Sequence, residues 1–211
     1  MKLRFKKQLL ILLALGFSSM AQPVIAMAAS QETGIPNQAA LKEIEDYLNR
    51  IQTLQANFVQ RNPNGETTTG RMFLDRHGST SFGKLRLEYA PPAKIRIVAD
   101  GEILRYEDRE KGEVNDYSID STPASFLLRR QIDFTKGDLT AQKLATKDGK
   151  VYLDLVRSGD EGAVLTLIFV TSPFLRLQGW VVLDGQGNKT HVTLSNVEIG
   201  MNLDDKLFVV E

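Results

Sequence analysis

The chain has 211 residues, with 26 Lys and Arg against 26 Asp and Glu, 42% apolar residues and no cysteine. That balance excludes wholesale disorder and gives a single domain enough material for a core. The absence of Cys excludes disulfides, a Cys nucleophile, Cys-bound zinc and a lipid on the chain's own N-terminal Cys, and two histidines are too few for a three-His metal site.

Lys2, Arg4, Lys6 and Lys7 precede the apolar run Leu9–Phe17, and small residues follow in Ser18-Ser19-Met20-Ala21 and Ala26-Met27-Ala28-Ala29. This order assigns 1–29 to a cleaved export signal, with an uncleaved anchor as the alternative. The apolar run falls short of the ~20 residues that span a bilayer. Removing the four leader cations leaves 22 basic against 26 acidic side chains, a net of −4. An acidic exported chain is a poor match for nucleic acid and for anionic lipid headgroups.

Residues 30–37 form a polar lead-in that ends at Asn37, a candidate N-cap. Leu41, Ile44, Leu48 and Ile51 recur at helical spacing opposite Lys42, Glu43, Glu45 and Asp46, which predicts one amphipathic helix over about 38–52. Strands are expected at 54–61, 67–76, 85–89, 95–98, 103–107 and 114–119, separated by turn signals such as Asn62-Pro63-Asn64-Gly65 and Asp100-Gly101. Ser121-Thr122-Pro123 reads as a cap followed by Pro at the first helical position, opening a short helix over 124–130. Further strands are expected at 139–146, 151–157, 163–170, 177–183 and 189–197, with a terminal one at 208–210. One domain, 38–211, thus holds about ten strands and one long helix. A sheet of that size must curl, split or close, and one helix covers only part of a curled concave face.

No catalytic signature emerges. Gly78-Ser79-Thr80-Ser81 lacks a strand–Ser–helix setting, and Gly185-Gln186-Gly187 reads as a turn with no helix behind it to hold a phosphate. Asp184, Asp204 and Asp205 are not spaced as a calcium loop. Glu43, Glu45 and Asp46 read as a solvated helix face, and His77 and His191 as isolated side chains. Asn188-Lys189-Thr190 matches a glycosylation tripeptide only weakly. Asn115, Tyr117 and Tyr106 are candidates for a polar pocket without an assigned reaction. The residues alone favour binding over catalysis.

The order of several blocks resembles the periplasmic outer-membrane lipoprotein carrier family (LolA type). These are Leu54-Gln55-Ala56-Asn57-Phe58-Val59-Gln60, Gly70-Arg71-Met72-Phe73-Leu74-Asp75-Arg76, and Lys84–Pro92 followed by Ile97-Val98-Ala99-Asp100-Gly101. Thr122-Pro123-Ala124-Ser125-Phe126-Leu127-Leu128, Gly179–Asp184 with Gly187 and Thr190, and Leu207-Phe208-Val209 complete the series. The resemblance implies a mainly β (α+β) fold: an unclosed antiparallel β-barrel with a long N-terminal helix and a short lid helix over its concave face. It implies a monomeric chaperone of the Gram-negative periplasm, without enzyme activity or cofactor. Acylated lipoproteins would be the cargo, received from an inner-membrane ABC exporter and passed to an outer-membrane acceptor.

Within that frame Met72, Leu74, Leu85, Leu87, Tyr89, Leu104 and Tyr106 line the acyl cavity, although each alone reads as β core. Pro123, Phe126, Leu127 and Leu128 form the lid. Arg76 matches the family's Arg at the cavity mouth, which hydrogen-bonds the lid backbone; its bland alternative is a solvated strand-end Arg. The family's Arg-Pro-Gly before the Leu-Arg strand is absent here. Arg76 is followed by His77, and Gly78–Gly83 reads as an insertion that unsettles the placement of Arg76. A sensor domain on the same scaffold, a carrier of another lipid and an enzyme are the alternatives. The ending at Glu211, directly after the last expected strand, argues against the first.

Overall fold

The computed structural model describes residues 37–136, 138–159 and 162–210. The expected export signal and the lead-in up to residue 36 lie outside the described residues. Helix α1, Gln38–Arg50, begins where the Asn37 side chain accepts from the Ala39 backbone N–H at 2.9 Å, so the expected cap is present. Leu41, Ile44, Tyr47 and Leu48 form its buried face, and Ile51 ends it in extended conformation.

Six strands follow: β1 Thr53–Arg61, β2 Thr67–Asp75, β3 Lys84–Tyr89, β4 Ile95–Ala99, β5 Ile103–Asp108 and β6 Glu113–Ser118. A 3-10 turn, Ile119–Ser121, leads to the one-turn helix α2, Ser125–Leu128. Five more strands complete the sheet: β7 Leu139–Lys147, β8 Lys150–Arg157, β9 Val164–Val170, β10 Arg176–Leu183 and β11 Lys189–Ile199.

The eleven strands form one sheet in the order β6-β5-β4-β3-β2-β1-β11-β10-β9-β8-β7. Every adjacent pair is antiparallel. The edge strands β6 and β7 are consecutive in the chain yet stand at opposite ends of this order, so the sheet does not close. Residues 119–138 cross between the two edges and carry α2. A twisted sheet this wide curls, and this one curls around its apolar face.

Alternation puts the rows Leu54–Leu74–Leu85–Ala99–Leu104 and Ala56–Met72–Leu87–Ile97–Tyr106 on that concave face. From the other half Leu153, Leu155, Leu167, Phe169, Val192 and Leu194 join the same core. Gly70 stands between Phe58 and Tyr89 in the register. A Cβ there would lie 2.2 Å from the Glu88 carbonyl oxygen and 2.5 Å from the Phe58 ring, so glycine is what lets Phe58 pack on Tyr89 at 5.0 Å.

Two local expectations are corrected. Residues 208–210 are not a strand. Asp205–Phe208 forms a 3-10 turn on the convex side of β3, held where Lys84 pairs with Asp205 at 2.6 Å and Arg86 donates to the Leu207 carbonyl, and Phe208 is buried there. Nor do Ser121 and Thr122 cap the short helix. The Thr122 hydroxyl donates back to the Ile119 carbonyl, and α2 starts after Ala124 without a side-chain cap.

Candidate functional site: a clasped lid over the concave face

Strand β2 ends at Asp75, and the Arg76 backbone N–H donates to the Gln52 carbonyl at 2.8 Å, which fixes the chain beside the end of α1. From there the Arg76 side chain turns inward and is only 1% exposed. Its Nε donates to the Leu127 carbonyl at 2.7 Å, and its Nη1 donates to the carbonyls of Leu48 at 2.7 Å and Ile51 at 3.4 Å. One planar guanidinium therefore ties the C-terminal end of α1 to the lid helix. The last carbonyls of a helix lack intrahelical partners and carry the negative end of its dipole, which suits a cation. No carboxylate pairs with Arg76 among the described residues. Burial pulls the guanidinium down to about 10, which still leaves it charged at neutral pH. The solvated strand-end alternative does not hold.

The segment after Arg76 does not displace it. Residues 80–83 fold against the lid: the Gly83 N–H donates to the Leu128 carbonyl at 2.7 Å, Phe82 forms an antiparallel bridge with Arg129, and Arg130 donates to the Thr80 carbonyl at 3.5 Å. Gly83 backs directly on the latch, since a Cβ there would lie 2.6 Å from the Asp75 carbonyl oxygen and 2.9 Å from Arg76 Cα. His77 is drawn to Asp75, its Nδ1 2.8 Å from the carboxylate, and takes no part in the lid contacts.

A second set of ties comes from the other half of the sheet. Arg157 of β8 donates to the Asp120 carbonyl and to the Ser125 hydroxyl, and its Nε lies 3.1 Å from the Asp138 carboxylate, which also pairs with Arg129. Burial pulls the Asp138 carboxyl up, but the hydrogen bond and charge of Arg129, with Arg157 behind it, hold it below the usual carboxylate range. Beyond α2 the chain is stitched along α1. Asn49 exchanges two hydrogen bonds with the Ile132 backbone, at 2.8 and 2.9 Å, and Glu45 accepts from the Phe134 N–H at 2.7 Å. Sequence reasoning missed Arg157, Asp138, Asn49 and Glu45, because each pairs with a residue on a remote element and no local spacing marks it.

Beneath these polar ties the lid is apolar. Phe126, Leu127 and Leu128 are buried, and Phe126 stands edge-to-face on Trp180 with ring centroids 5.9 Å apart. Of the residues expected to line a cavity, Met72, Leu74, Leu85, Leu104 and Tyr106 are buried, while Leu87 and Tyr89 are half-buried against the same cluster. In this state they pack as a filled core. The void lined by Pro123, Phe126, Leu155, Leu165 and Val182 holds only about 60 Å³, well under the ~150 Å³ that takes up a benzene. A second cavity, of about 520 Å³ with mixed polar and apolar walls, lies in the β1–β5 half of the sheet, between Gln60, Thr68, Tyr89, Ile95 and Asp108.

The residues expected to line the cavity carry no charged side chain. Burial pushes the Tyr89 and Tyr106 phenols above their ordinary value. The Tyr89 hydroxyl donates to Gln60 Oε1 at 2.8 Å, and the Tyr106 hydroxyl is buried without a hydrogen-bond partner among the described residues. Asn115 and Tyr117 lie half-buried on the edge strand β6 and bring no reactive group to them. No cluster of His, Asp and Glu suited to a metal occurs among the described residues. Asp184 accepts from the Gln186 and Asn188 backbone N–H groups, so its loop is a structural turn.

The family model described as "Outer membrane lipoprotein carrier protein LolA" matches residues 49–211. The chain belongs to the LolA family. An outer-membrane lipoprotein carrier protein of Methylococcus capsulatus is 27% identical over 196 residues, 88% of each chain. One from Ralstonia nicotianae is 24% identical over 206 residues, 93% of this chain and 90% of its own. A crystal structure of a LolA superfamily protein from Nitrosomonas europaea superposes with a TM-score of 0.42 at 16% identity, over 80% of this chain and 97% of that one. The unclosed eleven-stranded sheet with few helices is the fold of this LolA family chain.

Proposed function

We propose that this LolA family chain is a periplasmic carrier that takes the acyl chains of lipoproteins against the concave face of its sheet. It receives them from an inner-membrane ABC exporter and hands them to an outer-membrane acceptor, with no catalytic step. The observation that carries this reading is the contrast between how the lid packs and how it is tied. Its apolar side chains pack on the sheet, while hydrogen bonds from Arg76 and Arg157 hold its backbone and its first residue.

Hiding an acyl chain from water gains ~0.8 kcal/mol per CH2. In the empty state Phe126, Leu127 and Leu128 occupy the face that the acyl chains would take. Cargo then competes with the lid, and the cost of lifting it keeps the net affinity low enough for release. In this reading Met72, Leu74, Leu85, Leu87, Tyr89, Leu104 and Tyr106 line the loaded cavity, Pro123 enters the lid, and Arg76 latches it.

Trp180 is the chain's only tryptophan and lies under Phe126, so its emission reports the lid. Titration of the mature protein with a diacylated cysteinyl peptide is expected to shift Trp180 emission saturably. The same peptide without acyl chains is expected to leave it unchanged. Equal responses to both peptides, or none to either alongside no binding by native mass spectrometry, would overturn the proposal.

A further inference from the structure

Phe174 is 68% exposed, the most exposed of the large apolar side chains described, and it sits at the tip of the β9–β10 connection. Its neighbour Leu175 packs against the core, which holds the tip in place. The surroundings are basic. Lys150 and Arg176 are both register partners of Val170, on either side of β9, and Lys150 faces Lys147 across the β7–β8 turn. The Thr171 hydroxyl donates to the Gly149 carbonyl at 3.1 Å, which joins the two turns. Arg50, at the end of α1, and Arg176 both act on the Tyr47 hydroxyl, which accepts from the Leu177 N–H at 2.9 Å. Arg50, Lys147, Lys150 and Arg176 have no carboxylate partner among the described residues, and Asp148 is the one acid in the two turns.

We propose that this tip docks the protein on an anionic bilayer, Phe174 entering the interfacial layer and the four cations meeting lipid headgroups. The acidic net charge of the mature chain hides this local excess of positive charge. An aromatic ring surrounded by unneutralised cations is the pattern of a reversible interfacial anchor, and one ring with few cations gives weak attachment. The placement matters too. β10 starts at the end of the sheet where β11 finishes, and there Ile199 pairs with Leu54, which pairs with Leu74 just before Arg76. Docking through Phe174 therefore brings the Arg76 end of the lid to the bilayer. The proposal stands without the carrier reading, because it concerns a surface and not the cavity.

The test is co-sedimentation of the mature protein with vesicles of equimolar phosphatidylglycerol and phosphatidylcholine, against pure phosphatidylcholine. The expected result is retention on the anionic vesicles alone, lost at high salt. Phe174→Ala is expected to weaken it ~10-fold or more. Arg176→Gln and Lys150→Gln are expected to weaken it about fivefold each. Both sets of variants alter exposed or half-exposed side chains, and circular dichroism checks that they fold. Equal retention on both vesicle types, retention indifferent to all three substitutions, or binding to polyglutamate but not to vesicles would each overturn the proposal.

Discussion

The Arg76 guanidinium meets the Leu127 carbonyl at 2.7 Å in a site sealed from solvent. The same group also holds the final carbonyls of α1 through its Nη1, so lid and helix share a single guanidinium. Burying an unpaired guanidinium is unfavourable in itself, as its lowered pKa records. Its hydrogen bonds to carbonyl dipoles offset that cost only while the lid is down. The contact is therefore held by geometry more than by net energy, which suits the proposed role of a lid that opens for cargo.

Arg76→Leu is expected to free the lid while leaving the sheet intact. It removes the shared guanidinium and leaves the Leu127 carbonyl buried without its partner, at ~1–3 kcal/mol per unsatisfied group. Amide exchange over residues 125–130 should speed up, and Trp180 emission should lose its response to acylated peptide. Arg76→Lys keeps the charge but not the fork, so it should fall between the two. Unchanged exchange at the lid in Arg76→Leu would show that the other ties carry it alone.

Much of this arrangement was legible in the sequence, and the remainder was not for definite reasons. The α1 stripe and the period-2 alternation of Leu85, Leu87 and Tyr89 are local signals, and the structure reproduces them. The Gly70-to-Arg76 block placed Arg76 at a strand end. Alternation says which side of a strand a side chain faces, but not whether that side is open or filled, so the packed state of Met72 and Tyr106 could not be read. Arg157 and Asp138 face each other across the β7–β8 hairpin, but nothing in that hairpin shows that Arg129, Asp120 and Ser125 come to meet them. Phe208 looked like a strand residue because an apolar terminal triplet carries no information about the convex face it covers.

Gly83→Ala tests the second clasp. Gly83 needs no positive φ, so the effect is steric: the added methyl meets backbone atoms of Asp75 and Arg76, which cannot swing aside. The 80–83 segment must shift and its bond to the Leu128 carbonyl must lengthen. Thermal or urea unfolding should show a loss of ~1–3 kcal/mol, the usual range for overpacking. Lid exchange should rise even though Arg76 is untouched. A stability within 0.3 kcal/mol of the parent, taken as about the additivity error of such measurements, would mean that the segment yields freely and does not clasp.

Acidification should loosen the other side of the lid. The Asp138 carboxyl is held below the usual range because Arg129 and Arg157 outweigh its burial. A carboxyl depressed in the folded state contributes stability that is complete above its unfolded value, about 3.9. That contribution drains away as pH falls through the lower folded value. Asp138 is 38% exposed at its side chain, so solvent screening keeps the contribution under about 1 kcal/mol. Asp133, in the same stretch, is also held low, first by its hydrogen bonds to Thr135, and responds to acid in the same direction. The comparison that isolates Asp138 is therefore Asp138→Asn. The parent should show a step in Trp180 emission and in exchange at 125–130 as pH falls below about 4. Asp138→Asn should already be loosened at pH 7 and should lack that step, since its amide has no proton to gain. An unaltered step in the variant would assign the transition to Asp133 or to carboxylates away from the lid, and would remove Asp138 from the clasp.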